Sequence, residues 1–348
     1  MSSFRVALSG DFKKSDGSPA FPDFDLSPLD ENPAIDYEYI PVNGLVKATA
    51  LEDFDALILL VPRIEQMSFP KDGRLAVIAR FGVGYDNVDL KACTQNDCAL
   101  VITPDGVRRP VAVSVMTFML ALSGKLLVKD KLTRQGPEGW AKRNDHMGVG
   151  LVGKTLGSLG IGNIGAEVFR MAKPFDMKFI AYDPFANAKV ARELGIRLVS
   201  LEELFLESDV LSVSCPLSDD TYHIVNQERL ALMKRSAYLI NTSRGPVVDQ
   251  KALTKVLEQG RIAGAGLDVF EEEPTAANDP LYKLDNVILA PHSLCWTDQC
   301  FAGNGAADIK AVFDVMHGRV PTGVVNKEVL EHQTWRNKLE GYKQQFGG

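Results

Sequence analysis

Gly160, Gly162 and Gly165 lie in the stretch GIGNIG, with the GxGxxG spacing that can hold a pyrophosphate. The first glycine of such a turn allows a tight bend, the second lets the backbone approach the phosphates, and the third packs the following helix onto the strand. Asn163 and Ile164 would open that helix, whose N–H groups and positive dipole end attract anions. A strand-like run precedes the turn and a helix-like run follows it, so the stretch predicts a dinucleotide site.

Asp183 ends the next strand-like run, 18 residues after Gly165. A carboxylate in this place accepts hydrogen bonds from the adenosine ribose hydroxyls and repels a 2′-phosphate. The position therefore predicts NAD rather than NADP as the cofactor. The alternative is that Asp183 only closes a strand-end turn before Pro184.

Arg244, a run of glutamates ending at Glu273, and His292 follow three successive strand-like runs, in LINTSRGPVVD, GLDVFEEEP and LAPHS. An arginine can grip a carboxylate or polarise a carbonyl, and a histidine can transfer a proton near neutral pH. A carboxylate on its other ring nitrogen favours the imidazolium. These groups suit the reduction of a 2-keto acid by hydride. For any one of them, surface charge or core packing is a competitive alternative, but not for all three at neighbouring strand ends.

His292 also lies in the stretch LAPHSLCWTDQC, close to Cys295, Trp296 and Cys300. We predict no metal site, because no further His or Asp is spaced to complete a tetrahedral set with His292 and Cys295. A cysteine nucleophile is also disfavoured, because hydride transfer needs none. We interpret Cys295 and Trp296 as wall of the substrate pocket.

Short apolar runs alternate with helix-like stretches along most of the chain, which is typical of parallel sheets covered on both faces. The first set predicts a flavodoxin-like layer with strands at 5–9, 37–42, 56–61, 75–79 and 99–102. The second set predicts a six-stranded Rossmann sheet with strands at 158–161, 178–182, 210–214, 237–241, 263–268 and 287–290. Helices are predicted at 164–174, 186–194, 201–207, 226–234, 249–259 and 298–318. The fold class is thus α/β with two doubly wound parallel sheets.

A length of 348 residues favours two domains. We predict a discontinuous substrate domain, 1–108 with 299–348, around an NAD-binding domain, 109–298. The segment 111–128 is apolar on most sides, which predicts a single long helix buried between domains or in a homodimer interface. The segment 133–144 is interpreted as a loop in which Trp140 packs, and the role of the polar tail after about 326 is not predicted.

The bulk composition excludes several function classes. A net charge of −7 argues against nucleic acid and anionic membranes as partners. We also see no membrane-span or secretory pattern. Five cysteines without a CxxC pair suggest a reducing, cytoplasmic location.

Seven motifs, in this order, resemble those of the D-isomer-specific 2-hydroxyacid dehydrogenase family: RFGVGYDNVDL, GKTLGSLGIGNIG, YDP, CPLSDDT, NTSRGPVVD, GLDVFEEEP and APH. The likeness is strongest to its phosphoglycerate dehydrogenase-like and hydroxypyruvate or glyoxylate reductase-like branches. It implies an NAD-dependent oxidoreductase that interconverts a D-2-hydroxy acid and its 2-keto acid by hydride transfer. Phosphoglycerate, glycerate or hydroxypyruvate, and glyoxylate are the candidate substrates. Arg244 would bind the substrate, and Glu273 would partner His292 as the acid/base.

The resemblance also assigns residues to the substrate and the cofactor. It places the backbone of Val83 and Gly84 on the substrate carboxylate, which suits N–H groups exposed near glycines. It places Asp268 on the nicotinamide side. The other cofactor contacts that it implies are Asn163, Ile164, Asp183, Cys215, Pro216, Thr242 and Ser243.

The chain departs from the family after its histidine, where a small run such as Ile-Gly-Gly is usual. Here Ser293, Leu294, Cys295 and Trp296 follow, as in aromatic variants among relatives that act on lactate-like substrates. Trp296 is therefore a candidate substrate contact, and the substrate itself stays open. Distal anionic groups could meet basic side chains, with surface charge as the alternative role. These side chains are Arg80, Arg108 and Arg109.

Two alternative functions belong to the same fold. The C-terminal-binding transcriptional corepressors are NAD-sensing interaction proteins that resemble this family, but the chain has no long disordered arm. A formate dehydrogenase would need glutamine in place of Glu273. We therefore expect an enzyme that binds NAD, a small 2-keto acid and a second copy of itself.

Overall fold

The protein is described by a computed structural model over residues 3–41 and 44–347. The chain divides into two compact units, Met1–Val107 with Trp296–Gly348, and Arg108–Cys295. The first unit is therefore assembled from both ends of the chain. The boundaries predicted from the sequence, after residues 108 and 298, lie one and three residues beyond these limits.

The first unit is built on a five-stranded sheet of order β2-β1-β3-β4-β5, in which every described pairing is parallel. This is the flavodoxin-like order, as predicted. Its strands and its first two helices are β1 Phe4–Ser9, α1 Ser27–Asp30, β2 Ile35–Ile40, β3 Ala56–Leu59, β4 Val77–Arg80, α2 Leu90–Gln95 and β5 Ala99–Ile102. The strand predicted at 37–42 begins and ends two residues earlier, and its residue 42 lies outside the described residues.

Burial explains why these runs form strands. The side chains of β3 are all buried, and those of β4 are buried up to Arg80. Continuous apolar runs of this kind belong in a parallel sheet that is covered on both faces. Each strand ends where a polar or glycine-containing turn begins, so the carboxyl edge of the sheet carries the turn Gly82–Val83–Gly84 after β4.

Two helices replace the single helix predicted at 111–128. They are α3 Pro104–Gly124 and α4 Leu126–Arg134. Lys125 between them adopts a left-handed conformation (φ 53°, ψ 42°), which ends the first helix and bends the pair by 56°. No single described helix is long and apolar enough to cross a membrane, although this bent pair meets the length and composition criteria together. The loop predicted at 133–144 is wrong in part, because it contains α5 Pro137–Ala141.

The second unit is built on a seven-stranded sheet of order β12-β11-β10-β9-β6-β7-β8. This is a Rossmann order with one strand added at an edge, beside the strand predicted at 178–182. The missed strand is β8, which has three residues, two of them exposed, and so carries little apolar signal. The elements are β6 Thr155–Leu159, α6 Asn163–Ala172, β7 Lys178–Tyr182, α7 Ala188–Leu194, β8 Ile196–Leu198, α8 Leu201–Glu207, β9 Val210–Val213, α9 Gln227–Leu232, β10 Tyr238–Asn241, α10 Gln250–Glu258, β11 Gly264–Leu267 and β12 Val287–Leu289.

Both faces of this sheet carry an apolar core. Successive residues of a strand point to opposite faces, so Tyr238 and Ile240 join one cluster while Leu239 joins the other. Helices α3, α6 and α7 contribute to the first cluster, and α8, α9 and α10 to the second. The sheet is therefore doubly wound, and its carboxyl edge is left for ligands.

The chain ends in the first unit with two helices, α11 Asp298–Met316 and α12 Gln333–Phe346. Helix α11 packs against β3, β4 and β5. The polar tail, which has no predicted role, is structural here. Trp335 of α12 is fully buried, and its indole N–H donates to the carbonyl oxygen of Ala76 at 3.0 Å.

Candidate active site

The glycine turn after β6 is fixed by close backbone packing. Gly160 has a φ of 95°, and a β-carbon at Gly165 would lie 2.4 Å from the carbonyl oxygen of Gly160. At Gly162, by contrast, no described heavy atom lies within 4 Å of the position of a β-carbon. Helix α6 starts at Asn163, and no described side chain caps it. The first N–H groups of a helix have no partner within it, so this uncapped end, with the open position at Gly162 before it, suits a phosphate.

Asp183 follows β7 and is bound to this turn. One carboxylate oxygen accepts the N–H of Ile161 at 2.9 Å, and the other accepts the N–H of Phe185 at 2.8 Å. Each oxygen keeps a further lone pair for a ligand hydroxyl. Turn closure and ribose binding are thus compatible roles for the same carboxylate.

The other residues assigned to the cofactor lie along the same edge of the sheet. Cys215 and Pro216 follow β9, and the glycine turn packs on them, since a β-carbon at Gly160 would lie 3.1 Å from the backbone nitrogen of Cys215. Burial raises the pKa of the Cys215 thiol to about 12, which keeps it neutral and unsuited to nucleophilic work. Thr242 and Ser243 follow β10.

Arg244 lies at the end of the next strand, β10, and is partly exposed. Its guanidinium donates to the carbonyl oxygen of Ser243 at 2.8 Å, and its own carbonyl oxygen accepts the side-chain amide of Asn241 at 3.0 Å. Its positive charge is one of the causes that lower the pKa of Glu273. The strand that precedes Arg244 pairs with β11, which leads to Glu273, so the two residues follow neighbouring strands.

Glu273 and His292 are joined directly, with 2.7 Å between Oε2 and Nδ1. The other carboxylate oxygen of Glu273 accepts the backbone N–H of Phe270 at 2.9 Å. Burial pushes the pKa of Glu273 up, but the hydrogen bond and charge of His292, the Phe270 N–H and Arg244 outweigh it and hold the pKa below its usual value. Glu273 is thus an anion at neutral pH, and Nε2 of the ring is left to face a ligand.

Asp268, at the end of β11, anchors the segment that carries His292. Its carboxylate accepts the N–H groups of Ser293 and Leu294 at 3.0 and 3.1 Å. Burial is the main cause that raises the pKa of this nearly inaccessible carboxyl, although the two N–H groups oppose it. His292 itself has a left-handed backbone (φ 52°), a conformation that needs such support.

Three predicted substrate residues belong to the first unit. Val83 and Gly84 lie in the turn after β4. Trp296 stands edge-on to Phe21, with ring centroids 5.2 Å apart, and is 44% exposed. The predicted substrate contacts of these three residues stay predictions.

The three arginines considered for a distal anion have different surroundings. Arg80 donates to the carbonyl oxygen of Phe81. Arg109 pairs at 2.5 Å with Glu167, a largely buried acid of α6, so its charge already has a partner. Arg108 is the second unit's first residue. Within residues 3–41 and 44–347, no group of three or more His, Cys, Asp or Glu side chains could hold a metal ion.

The strand order arranges these groups in a line along the edge of the second sheet. Running from β7 to β12, it brings Asp183, the glycine turn, Cys215, Arg244, the Asp268–Glu273 segment and His292 side by side. The glycine turn, the uncapped helix and the acid that follows fit a dinucleotide at one end. Arg244 and His292 lie towards the other end of this edge.

Residues 116–293 match the NAD binding domain of the D-isomer specific 2-hydroxyacid dehydrogenases. The chain is 38% identical over 314 residues, 89% of its length, to the glyoxylate reductase of Korarchaeum cryptofilum, of which it covers 95%. The holo form of Rhodotorula graminis D-mandelate dehydrogenase is similar in structure (TM-score 0.79, 26% identity, 93% of this chain and 98% of that one). So is an acyclic imino acid reductase in complex with NADPH and D-Arg (TM-score 0.77, 26% identity, 92% and 99%).

The fold and this edge of the sheet define a dinucleotide-dependent oxidoreductase. The chain belongs to the D-isomer specific 2-hydroxyacid dehydrogenase family. Its enzymatic character and its nicotinamide dinucleotide cofactor, both predicted from the sequence, are confirmed at the level of the family. The interconversion of 2-hydroxy and 2-keto acids is the reaction of this class.

Two further residues near the site were not predicted. His223 and Glu271 form a hydrogen-bonded pair with 2.8 Å between Nε2 and Oε1. In the sequence, Glu271 is one of three successive glutamates before Pro274, and no local pattern marks His223. Because 48 residues separate the two, no local spacing could have indicated the contact.

Proposed function

We propose that the protein reduces a small 2-keto acid with NADH, with His292 as the proton donor and Glu273 as its partner. The 2.7 Å contact between the two side chains is the observation that supports this most strongly. It occupies Nδ1 of the ring and leaves Nε2 as the atom that gives or takes the proton. The charge of Glu273 favours the imidazolium that donation requires.

Arg244 binds the substrate carboxylate and meets the negative charge that develops on the keto oxygen during reduction. Its place after β10, the strand that pairs with β11 before Glu273, supports this role. In the first unit, the N–H groups of the Val83–Gly84 turn are candidates to bind a carboxylate. A nicotinamide dinucleotide, when bound, supplies the hydride. Its adenosine end would be held by the glycine turn and Asp183, which accounts for a preference for NAD.

The substrate class follows from the relatives and from the pocket residues. Several curated relatives at 38–39% identity are glyoxylate reductases, which favours a small 2-keto acid such as glyoxylate or hydroxypyruvate. Trp296 adds an apolar wall that glyoxylate alone does not need. We therefore place glyoxylate and hydroxypyruvate first, and phosphohydroxypyruvate after them, because Arg109 already has an acidic partner.

A panel of 2-keto acids assayed by loss of NADH absorbance, with the parent protein and His292→Ala, tests this function. The variant should lose roughly 10²–10⁴-fold in kcat, the usual contribution of a positioned proton donor, while NADH fluorescence titrations show unchanged binding. His317→Ala, a histidine at the end of α11 in the first unit, is the matched control and should behave like the parent. Near-normal turnover by His292→Ala would show that the proton comes from another group.

A further inference from the structure

We infer that His223 and Glu271 are positioning residues: together they tie the segment that carries Glu273 to the segments beside Arg244, and the rate of reduction depends on this tie. The inference rests on the proposed roles of Glu273 and His292. All the contacts that support it lie within the second unit. Among the described residues, no hydrogen bond joins the side chain of His223 or Glu271 to that of Glu273 or His292, so the pair would act through the backbone.

Glu271 is held on three sides. One carboxylate oxygen lies 2.8 Å from Nε2 of His223, and the other accepts the backbone N–H of Gln250 at 3.2 Å. The backbone N–H of Glu271 donates to the side-chain oxygen of Gln250 at 2.9 Å, and the amide nitrogen of Gln250 donates to Asp279 at 2.9 Å. Gln250 is the first residue of α10, so the negative charge of Glu271 also meets the positive end of that helix.

His223 is fixed from its other side. Its backbone N–H donates to the carbonyl oxygen of Pro246 at 2.9 Å, and its ring stacks on Tyr222 with centroids 4.0 Å apart. Two residues further along, the N–H of Val225 donates to the carbonyl oxygen of Val247 at 3.1 Å. The backbone of His223 is thus attached to the segment that begins with Arg244.

Gly245 brings this segment against the acid-bearing one. A β-carbon there would lie 1.8 Å from the carbonyl oxygen of Phe270 and 2.5 Å from the nitrogen of Glu271. The backbones that follow Arg244 and β11 are therefore in direct contact. The pair of His223 and Glu271 adds a second, indirect link between them, because His223 lies on the segment after β9 and its backbone is hydrogen-bonded to Pro246.

The backbone N–H of Phe270 connects the His223–Glu271 pair to the proposed acid/base. Phe270 precedes Glu271, and its N–H holds one carboxylate oxygen of Glu273 at 2.9 Å, while the other oxygen holds His292. A shift of residues 270–271 would move the N–H that orients Glu273. Misplacement of a catalytic constellation by about 1 Å can cost up to ~100-fold in rate.

Substitutions at Glu271 test the tie. Glu271→Ala removes all of its side-chain hydrogen bonds and should lower kcat about 10-fold, a fraction of the cost of a 1 Å misplacement, with NADH affinity unchanged. Glu271→Gln should recover most of the loss, because its oxygen can accept from Gln250 while its amide donates to the other tautomer of His223. A Gln variant as slow as the Ala variant, or an Ala variant as fast as the parent, would overturn the inference.

A double-mutant cycle with Glu273→Gln separates positioning from general stability. If Glu271 acts through the Glu273 carboxylate, Glu271→Ala should lower kcat about 10-fold in the parent and less than about 2-fold in the Glu273→Gln background. Equal factors in both backgrounds would exclude this route. Thermal melts of all four proteins identify any variant that fails to fold, in which case His223→Gln takes the place of Glu271→Ala in the cycle.

The first unit offers a matched control, because His332 and Asp97 form a similar pair with 2.7 Å between Nδ1 and Oδ1. His332→Ala should leave kcat at the parent value, whereas His223→Ala should lower it like Glu271→Ala. Equal losses from both would overturn the inference. The His292→Ala assay distinguishes the two proposals: if it abolishes turnover while Glu271→Ala does not change it, only the positioning role fails.

Discussion

At the scale of single residues, the charge on Glu273 determines how the proposed reaction responds to pH. The pKa of Glu273 is held below its usual value, so the acid is charged throughout the neutral range and favours a protonated His292. Reduction consumes that proton. The rate should therefore be highest while the pair retains its proton and should fall as the pH rises through its titration.

Glu273→Gln keeps the size of the side chain and removes the charge. The imidazolium then loses its stabilising partner, so the fall in kcat for keto-acid reduction should move to lower pH. A shift of this fall by one pH unit would correspond to about 1.4 kcal/mol of lost stabilisation of the imidazolium. The measurement is a pH–rate profile of the parent and the variant. A fall in kcat at the same pH in both proteins would mean that Glu273 does not act on the titrating group.

Asp183 is the residue on which cofactor choice depends. Its two oxygens are oriented by the N–H groups of Ile161 and Phe185, so the negative charge is fixed beside the glycine turn, and a ribose bound to it would bring a 2′-phosphate close to that charge. NADH should be favoured over NADPH by at least ~10-fold in kcat/KM, because bringing two like charges together costs more than about 1.4 kcal/mol. Asp183→Ser should reduce that ratio. Equal use of both cofactors by the parent would contradict the assignment.

The positions of Arg244 and His292 at strand ends could be predicted, because apolar runs mark the strands before them and parallel strands share a carboxyl edge. Their roles stay proposals. The contacts behind them could not be predicted. Asp268 binds the N–H groups of residues 293 and 294, and this depends on the neighbouring positions of β11 and β12 in the sheet, which local spacing does not encode.

At the scale of elements, we expect two glycines of the β6–α6 turn to have different roles, one in stability and one in cofactor binding. Gly165 has a backbone oxygen 2.4 Å from the position of a β-carbon, whereas the same position at Gly162 is open. Gly165→Ala should destabilise the fold by about 1–3 kcal/mol, because α6 must move away from β6. Gly162→Ala should cost within about 1 kcal/mol of stability and yet weaken NADH binding, since its methyl group points where phosphates approach.

Thermal melts and NADH fluorescence titrations of the two variants provide the comparison. The expected pattern is a lower melting temperature for Gly165→Ala and weaker cofactor binding with a near-normal melting temperature for Gly162→Ala. The reverse pattern would mean that the phosphates do not lie over Gly162.

Elements with strong apolar periodicity were predicted well, and those with weak or interrupted patterns were not. Helices α6 to α11 lie within two residues of their predicted limits, and in α6 and α10 the apolar residues lie on one face. The break between α3 and α4 was missed because the apolar residues on both sides of 123–125 are typical of one helix, whereas the backbone of Lys125 is left-handed. The edge strand β8 was missed because Arg197 and Leu198 are exposed.

At the scale of the whole molecule, the second unit exposes an apolar surface that a second copy would cover. We propose that α3, α4 and α5 form a homodimer interface, as the sequence prediction of a buried 111–128 segment suggests. Val113, Thr117 and Leu120 form an exposed stripe along α3, and Leu126 and Trp140 are each 59% exposed. Isolated exposed apolar side chains are ordinary, so the proposal depends on the occurrence of several of them on these three helices.

Sedimentation velocity at micromolar concentration should show a dimer. Leu126→Asp should shift it toward the monomer, because a charge buried without a partner costs several kcal/mol in an interface. Leu206→Asp is the matched control: Leu206 is 51% exposed on α8 and should not affect association. A monomeric parent protein at that concentration would contradict the interface.

The discontinuous first unit has a consequence for how the protein is made. Its strands β1 to β5 leave the ribosome first, but the helices that complete it, α11 and α12, leave last. Trp335 reaches Ala76 across 259 residues, and Tyr342 stands edge-on to Phe4, with ring centroids 5.1 Å apart. The second unit is contiguous and can fold during synthesis, while the nascent first sheet waits with part of its apolar surface uncovered. Translation speed and chaperone access therefore bear on the first unit much more than on the second.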